Sequence, residues 1–237
     1  MTRRTGGRAA RVAERTSGDI GAGVPAFIRR QVRPHDLLSE DGLDLIERKA
    51  DQLLAEVGID INEAQDREEF RHAGASVDGN RVRFEPGHLR ELCATAPREF
   101  TQHARNPDKS VVIGGDNVVF APAYGSPFVR DLAGGRRYAS LDDFHNFVKL
   151  TYSTPWLHHS GGTICEPVDV PVNKRHLDMV YSHIRYNDQA FMGSVTIPER
   201  ARDSVAMARL VFGDDFVESN CVILGNVNVN SPLVWDN

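Results

Sequence analysis

Long apolar runs are missing from this 237-residue sequence. No stretch of about 18 apolar residues occurs, so no segment reads as a bilayer-spanning helix. The amino terminus has charge but no apolar stretch, which excludes a secretory signal; its Arg-rich, acid-poor composition leaves a transit peptide as the targeting alternative. Cysteine is scarce. Cys93, Cys165 and Cys221 form an odd set without CxxC spacing, which argues against a disulfide framework, fits a reducing compartment and makes the cytoplasm the default location. Positive charge is lacking on the body of the chain: residues 1 to 34 hold eight Arg against Glu14 and Asp19, a balance of +6, so a formal total of -5 leaves -11 for the rest. An acidic body excludes the basic footprint of a nucleic-acid binder. No GxxxxGK[ST] or GxGxxG follows a strand pattern, and neither a GxSxG elbow nor a Cys/His catalytic signature stands out.

What is present is an ordinary globular composition, 41% hydrophobic and 26% charged, long enough for one large domain or a smaller pair. Residues 1–34 read as a disordered Arg-rich arm. From Leu38 the pattern tightens: Ser39 is a plausible N-cap, and Leu43, Ile46, Ala50, Leu53, Leu54 and Val57 recur at helical spacing until Gly58. Helices are predicted over Glu63 to Ala73 and Pro86 to Ala96, with a short strand pair, or a turn and strand, at Ala75 to Phe84 between them and Asp78-Gly79 at the turn. A strand at Arg98 to Arg105 precedes three short β segments, Val111 to Ile113, Asn117 to Ala121 and Pro127 to Leu132, separated by glycines. Residues 35–139 are therefore assigned to amino-terminal helices and a β-meander.

At Ser140 the rhythm changes. Helices over Leu141 to Tyr152, Asn173 to Tyr186 and Pro198 to Phe212 alternate with apolar or small-residue strands at Trp156 to Glu166, Gln189 to Pro198 and Cys221 onward. Alternation of this kind signals parallel βα units and an α/β fold. Three strands do not close a barrel, so residues 140–237 are expected to hold the first units of an incomplete one, with an unpaired parallel edge.

The run PDKSVVIGGDNVVFAPAYGSPFVRDLAGGRRYASLDDFHNFVKL, Pro107 to Leu150, followed by GNVNVNSPLVWDN at the end, resembles the trimethylamine methyltransferase family of corrinoid-dependent methyltransferases, which includes relatives acting on glycine betaine. The resemblance runs from about Leu38 onward and corresponds to the amino-terminal part of a longer protein. It implies a TIM (β/α)8 barrel that passes a methyl group from a small methylated amine to the cobalt of a corrinoid (cobalamin). That cofactor is carried by a cognate corrinoid protein, the expected partner, and is not bound tightly by this chain. A homo-oligomer is expected at full length. Pyrrolysine, where the family has it, would lie beyond Asn237.

A quaternary ammonium offers no N–H, so its pocket must use aromatic faces, carboxylates and oxygen dipoles. Methyl transfer to a strongly nucleophilic metal needs alignment and exclusion of water more than acid–base groups. Tyr124 in AYGSP is a candidate wall, against a hairpin turn with a core aromatic as the plain alternative. Asn226, Asn228 and Asn230, at i, i+2 spacing, would share one side of a strand, where buried amides need a ligand or one another. Glu166 at a strand's carboxyl end could offset an ammonium or simply meet water. His158 and His159 would point to opposite faces of a strand, so only one could face the interior; His158 is taken as a candidate substrate contact. With Cys165, the two histidines also raise an alternative, a zinc-dependent barrel enzyme, although their spacing matches no structural zinc pattern. A non-catalytic fragment that docks partner chains is the alternative from another class.

Overall fold

A computed structural model describes residues 23–235 of the chain. The architecture is mixed α/β, with seven α-helices and several small sheets among these residues, none closed into a barrel. Residues 1–22 of the predicted arm lie outside the described residues, but Ile28–Arg29 pairs antiparallel with Asn117–Val118 and Arg30 bonds Asp116 at 2.7 Å, so folded structure extends to the amino-terminal side of residue 34.

The first helix, α1 (Glu40–Glu56), starts where Ser39 Oγ accepts the Gly42 N–H at 3.3 Å, with Glu40 and Asp41 complementing the helix dipole. It ends at Gly58, whose φ of 75° places a hypothetical Cβ 2.4 Å from the Val82 carbonyl oxygen, so no other residue fits. Helices α2 (Ala64–His72) and α3 (His88–Ala94) follow, with Ser76–Asp78 and Arg81–Arg83 as a hairpin between them. Ile59–Asp60 pairs antiparallel with Arg81–Arg83 and, on its other side, parallel with the Val234–Trp235 strand from the far end of the chain. Ile59, Ile61, Ala75, Val82 and Phe84 form this unit's core, with Leu54, Phe70, Leu92 and Trp235 packed on it. The apolar stripe of α1 departs from expectation: Leu43, Ile46, Leu53 and Val57 are exposed. The helix leans on the sheet through Leu54, about 100° of arc from Leu53, and so leaves most of its predicted core face open.

A meander of hairpins comes next: Glu99–Gln102 with Val111–Gly114, and Phe128–Asp131 with Gly135–Tyr138. The predicted strand at Asn117 to Ala121 is confined to Asn117–Val118.

The alternating half then begins at α4 (Leu141–Ser153). Ser140 and Asp143 form a reciprocal capping box, and Arg137 grips Asp143 through both guanidinium nitrogens, holding its carboxyl well below the usual carboxylate range. Ser140→Ala is expected to cost about 1 kcal/mol, measured by denaturant unfolding. Helices α5 (Arg175–Tyr186) and α6 (Pro198–Phe212) match their predicted spans, while the short α7 (Asp214–Ser219) had no sequence signal beyond Asp214 and Asp215 in its first turn. Between the helices, Phe191–Met192 and Ile223–Leu224 pair in parallel. The segment at Ser160 and Gly161 lies on their other side: Ser160 N–H donates to Ala190 O at 2.8 Å and Met192 N–H donates to Gly161 O at 2.9 Å. Three consecutive segments thus run side by side in one direction. Phe144 and Val148 of α4 form a buried cluster with Ile164 and Cys165, against which Met179 and Tyr186 of α5 pack.

The last predicted strand is shorter than expected. It ends at Leu224; Gly225 then packs on Val195, where a Cβ would come within 2.4 Å of Val195 Cγ1, and the chain continues into the Val229–Asn230 and Val234–Trp235 hairpin. Asn226, Asn228 and Asn230 are consequently exposed, with Asn226 Nδ2 donating to Asn228 Oδ1 at 3.2 Å. Water and one another satisfy these amides, which removes the desolvation cost that pointed to an interior ligand.

Candidate functional site at the carboxyl edge

The three parallel segments set two ends apart. At their amino ends sits His158, 4% exposed, stacked on Phe120 with ring centroids 5.8 Å apart. Its Nδ1 accepts the Phe120 N–H at 3.0 Å, so the ring proton is on Nε2, and burial pushes its pKa down. This places His158 at the end of the segments away from Glu166. His159 is equally buried, contrary to the expectation that only one of the pair would face inward. Both faces of the segment are covered, one by Phe120 and the other by Gln102.

Between the ends lies a polar network. Gly161 N–H donates to His159 Nδ1 at 2.9 Å, so His159 carries its proton on Nε2 and donates to Gln102 Oε1 at 3.0 Å. Gln102 Nε2 in turn donates to the carbonyls of Phe191 at 2.8 Å and Val222 at 3.4 Å, tying all three segments to the Glu99–Gln102 strand. On the other side, His183 Nε2–H donates to Gly162 O at 2.9 Å and its Nδ1 accepts from Ser160 Oγ at 2.7 Å. Burial pushes both histidines down to about 4, His159 further disfavoured by the nearby His183, so the rings are neutral near pH 7. Their nitrogens are engaged in structure. Cys165 packs in the apolar cluster and burial pushes its thiol up to about 12. His158, His159 and Cys165 therefore do not converge, and no group of three or more His, Cys, Asp or Glu among the described residues is placed to hold a metal ion.

The carboxyl ends are more open. Gly125 N–H donates to Thr163 O at 2.8 Å and Glu166 N–H donates to Ser126 O at 3.0 Å, which brings the loop bearing Tyr124 beside Glu166. Tyr124 is half exposed and so is not a core aromatic. Arg175 Nη1 is 3.6 Å from Glu166 Oε2, so this carboxylate already faces a cation.

At the same edge lies a cavity of about 570 Å³. Val195 and Val227, which follow the second and third segments, form one side; Ile197, Pro198 and Ala201 at the start of α6 form another. The opposite wall comes from α2, which contributes Asp66, Glu69 and Phe70, and from Trp235. Phe70 and Trp235 meet edge to face, with centroids 5.8 Å apart. Asn226 and Asn228 flank Val227 on the chain, so they stand beside this cavity and not inside a strand interior. No local pattern announces it: Phe70 lies inside the predicted Glu63 to Ala73 helix, and Trp235 is 165 residues further along the chain. Only the parallel pairing of Val234 with Asp60 brings them together.

No helix among the described residues is long and apolar enough to cross a membrane. A trimethylamine methyltransferase family model matches residues 4–237. The glycine betaine methyltransferase of Desulfitobacterium hafniense (strain Y51) is 42% identical over 203 residues, which cover 85% of this chain and 42% of that protein. The chain thus spans less than half the length of this relative. With a match over nearly its whole length, the chain belongs to the trimethylamine methyltransferase family.

Proposed function

We propose that the chain supplies the substrate-binding amino-terminal part of a methyltransferase that moves a methyl group from trimethylamine, glycine betaine or a similar methylated amine to the Co(I) of a corrinoid carried on a partner protein. The three parallel segments are read as the opening strands of an eight-stranded barrel, completed by further chain in a protein of the relative's length. Three free cysteines fit a reducing cytoplasm.

The observation that carries this reading is the cavity at the carboxyl edge, where barrels and open α/β sheets bind ligands. Its aromatic pair and carboxylates are the groups that hold a methylated ammonium, which has no N–H to donate if quaternary. In the transfer the C–N bond breaks with its electron pair left on nitrogen, and the metal's electron pair forms the new bond to carbon. A quaternary donor then leaves as a neutral tertiary amine without a proton transfer. The chain's residues have to bind the cation, aim one methyl outward and exclude water. Buried neutral histidines committed to backbone contacts fit chemistry that asks for no acid or base at this edge. Tyr124, on the neighbouring loop, is a further candidate contact.

Methyl transfer from a panel of trimethylamine, glycine betaine, carnitine and proline betaine to cob(I)alamin, followed by cobalt absorbance, tests the proposal on the complete product of the reading frame. Transfer from one amine is expected, with Phe70→Ala reducing kcat/KM about tenfold through loss of a cation-facing ring. A folded protein that methylates cobalt from none of the amines would overturn the reading.

A further inference from the structure

Val195 forms part of one side of the cavity at the carboxyl edge, and its neighbours fix where it stands. Ser204, in the second turn of α6, is 1% exposed. Its Oγ accepts the Ser194 N–H at 3.0 Å and donates to the Ser194 carbonyl at 3.2 Å, so one hydroxyl holds both backbone groups of the residue before Val195. Gly193 lets α6 come this close: a Cβ there would lie 2.8 Å from both Ser204 Cβ and Ile223 Cδ1. Gly225 acts on the valine itself. A Cβ at that position would lie 2.4 Å from Val195 Cγ1 and 3.0 Å from Cγ2, and Gly225 is not a lining residue, so it backs Val195 from outside the cavity.

A wall rejects a larger ligand only if it does not yield, since a wall that moves admits the extra volume at little cost. Val195 meets this condition better than its neighbours: it is half-buried and braced at both backbone and side chain, whereas Ile197 and Val227 on the same side are exposed. On the reading of this cavity as the amine site, we propose that Val195 is its specificity-determining residue, a stiff wall that sets how bulky a methylated ammonium group is admitted, with Ser204 and Gly225 as positioning residues. Removing the valine methyls opens space at the wall. A methyl added at Gly225 has to push Val195 toward the cavity.

Titration calorimetry of the complete product of the reading frame with tetramethylammonium and tetraethylammonium tests this, because the two cations carry the same charge and differ in bulk. The measured quantity is the ratio of their Kd values, which does not depend on the fraction of each preparation that is folded. Relative to the unmodified protein, Val195→Ala is expected to shift the ratio about tenfold toward tetraethylammonium and Gly225→Ala about tenfold toward tetramethylammonium. Ser204→Ala, which frees the Ser194 backbone, is expected to move it about threefold in the direction of Val195→Ala. A ratio unchanged in either Val195→Ala or Gly225→Ala, or moved the same way in both, would overturn the assignment of Val195 and leave the amine site standing. Absence of binding by both cations to the unmodified protein at millimolar concentration would remove the amine site and the wall together.

Discussion

Gln102→Leu is expected to lower unfolding free energy by about 3–5 kcal/mol, because one buried amide satisfies three separate groups. Gln102 is fully buried, and its Nε2 donates to the carbonyls of Phe191 and Val222 while its Oε1 receives the His159 proton. Leucine fills much of the volume but leaves a buried imidazole N–H and two carbonyls without that partner. Each such group costs about 1–3 kcal/mol when orphaned, with partial relief from relaxation. Gln102 is also where the meander meets the parallel half, through its backbone bridge to Cys221 and the His103 N–H donated to Cys221 O at 2.8 Å. Denaturant unfolding measures the loss. A change below 1 kcal/mol would mean that the three segments are held by their own ladder and packing, with the amide incidental.

The sequence was informative where a pattern is local. Ser140 with Asp143, Pro198 opening α6 and Gly58 closing α1 announce helix ends through backbone chemistry confined to a few residues, and each stands where expected. The alternation after Ser140 likewise showed parallel pairing, since apolar strands between helices need cover on both faces. What it could not show is which apolar stripe finds a partner. Leu43, Ile46, Leu53, Leu54 and Val57 share a helical period, yet of these only Leu54 packs on the sheet's core while Leu43, Ile46, Leu53 and Val57 are exposed.

The candidate site was the least legible part for a related reason. Adjacent polar residues such as His158, His159 and the three asparagines drew attention by composition, whereas their fate depends on distant cover: Phe120 for one histidine, Gln102 for the other, and solvent for the amides. The cavity walls come from α2, the start of α6 and the final strand, so no stretch of sequence contains the site. Its aromatic pair exists because the Val234–Trp235 strand joins the amino-terminal sheet beside Asp60.

Acid is expected to begin destabilising the protein before its carboxylates titrate. His159 and His183 are held down to about 4 in the fold, against an unfolded value near 6.5. Between those values the unfolded chain binds protons that the folded one refuses, so stability is fully present above about pH 6.5 and is lost as pH falls toward 4. Each ring contributes on the order of a few kcal/mol across the window, a large fraction of a typical domain's stability. Asp143, held low by Arg137, works in the same direction but only below its ordinary carboxylate range, so it does not enter this window. Denaturant midpoints at pH 7.5, 6.0 and 5.0 are expected to fall steadily, and His183→Gln is expected to be less stable at pH 7.5 yet show about half the pH slope. A flat profile from 7.5 to 5.0 would mean that the imidazoles can take up protons without breaking the bonds to Gly161 and Gly162, and that the network which joins the three segments is more yielding than its geometry implies.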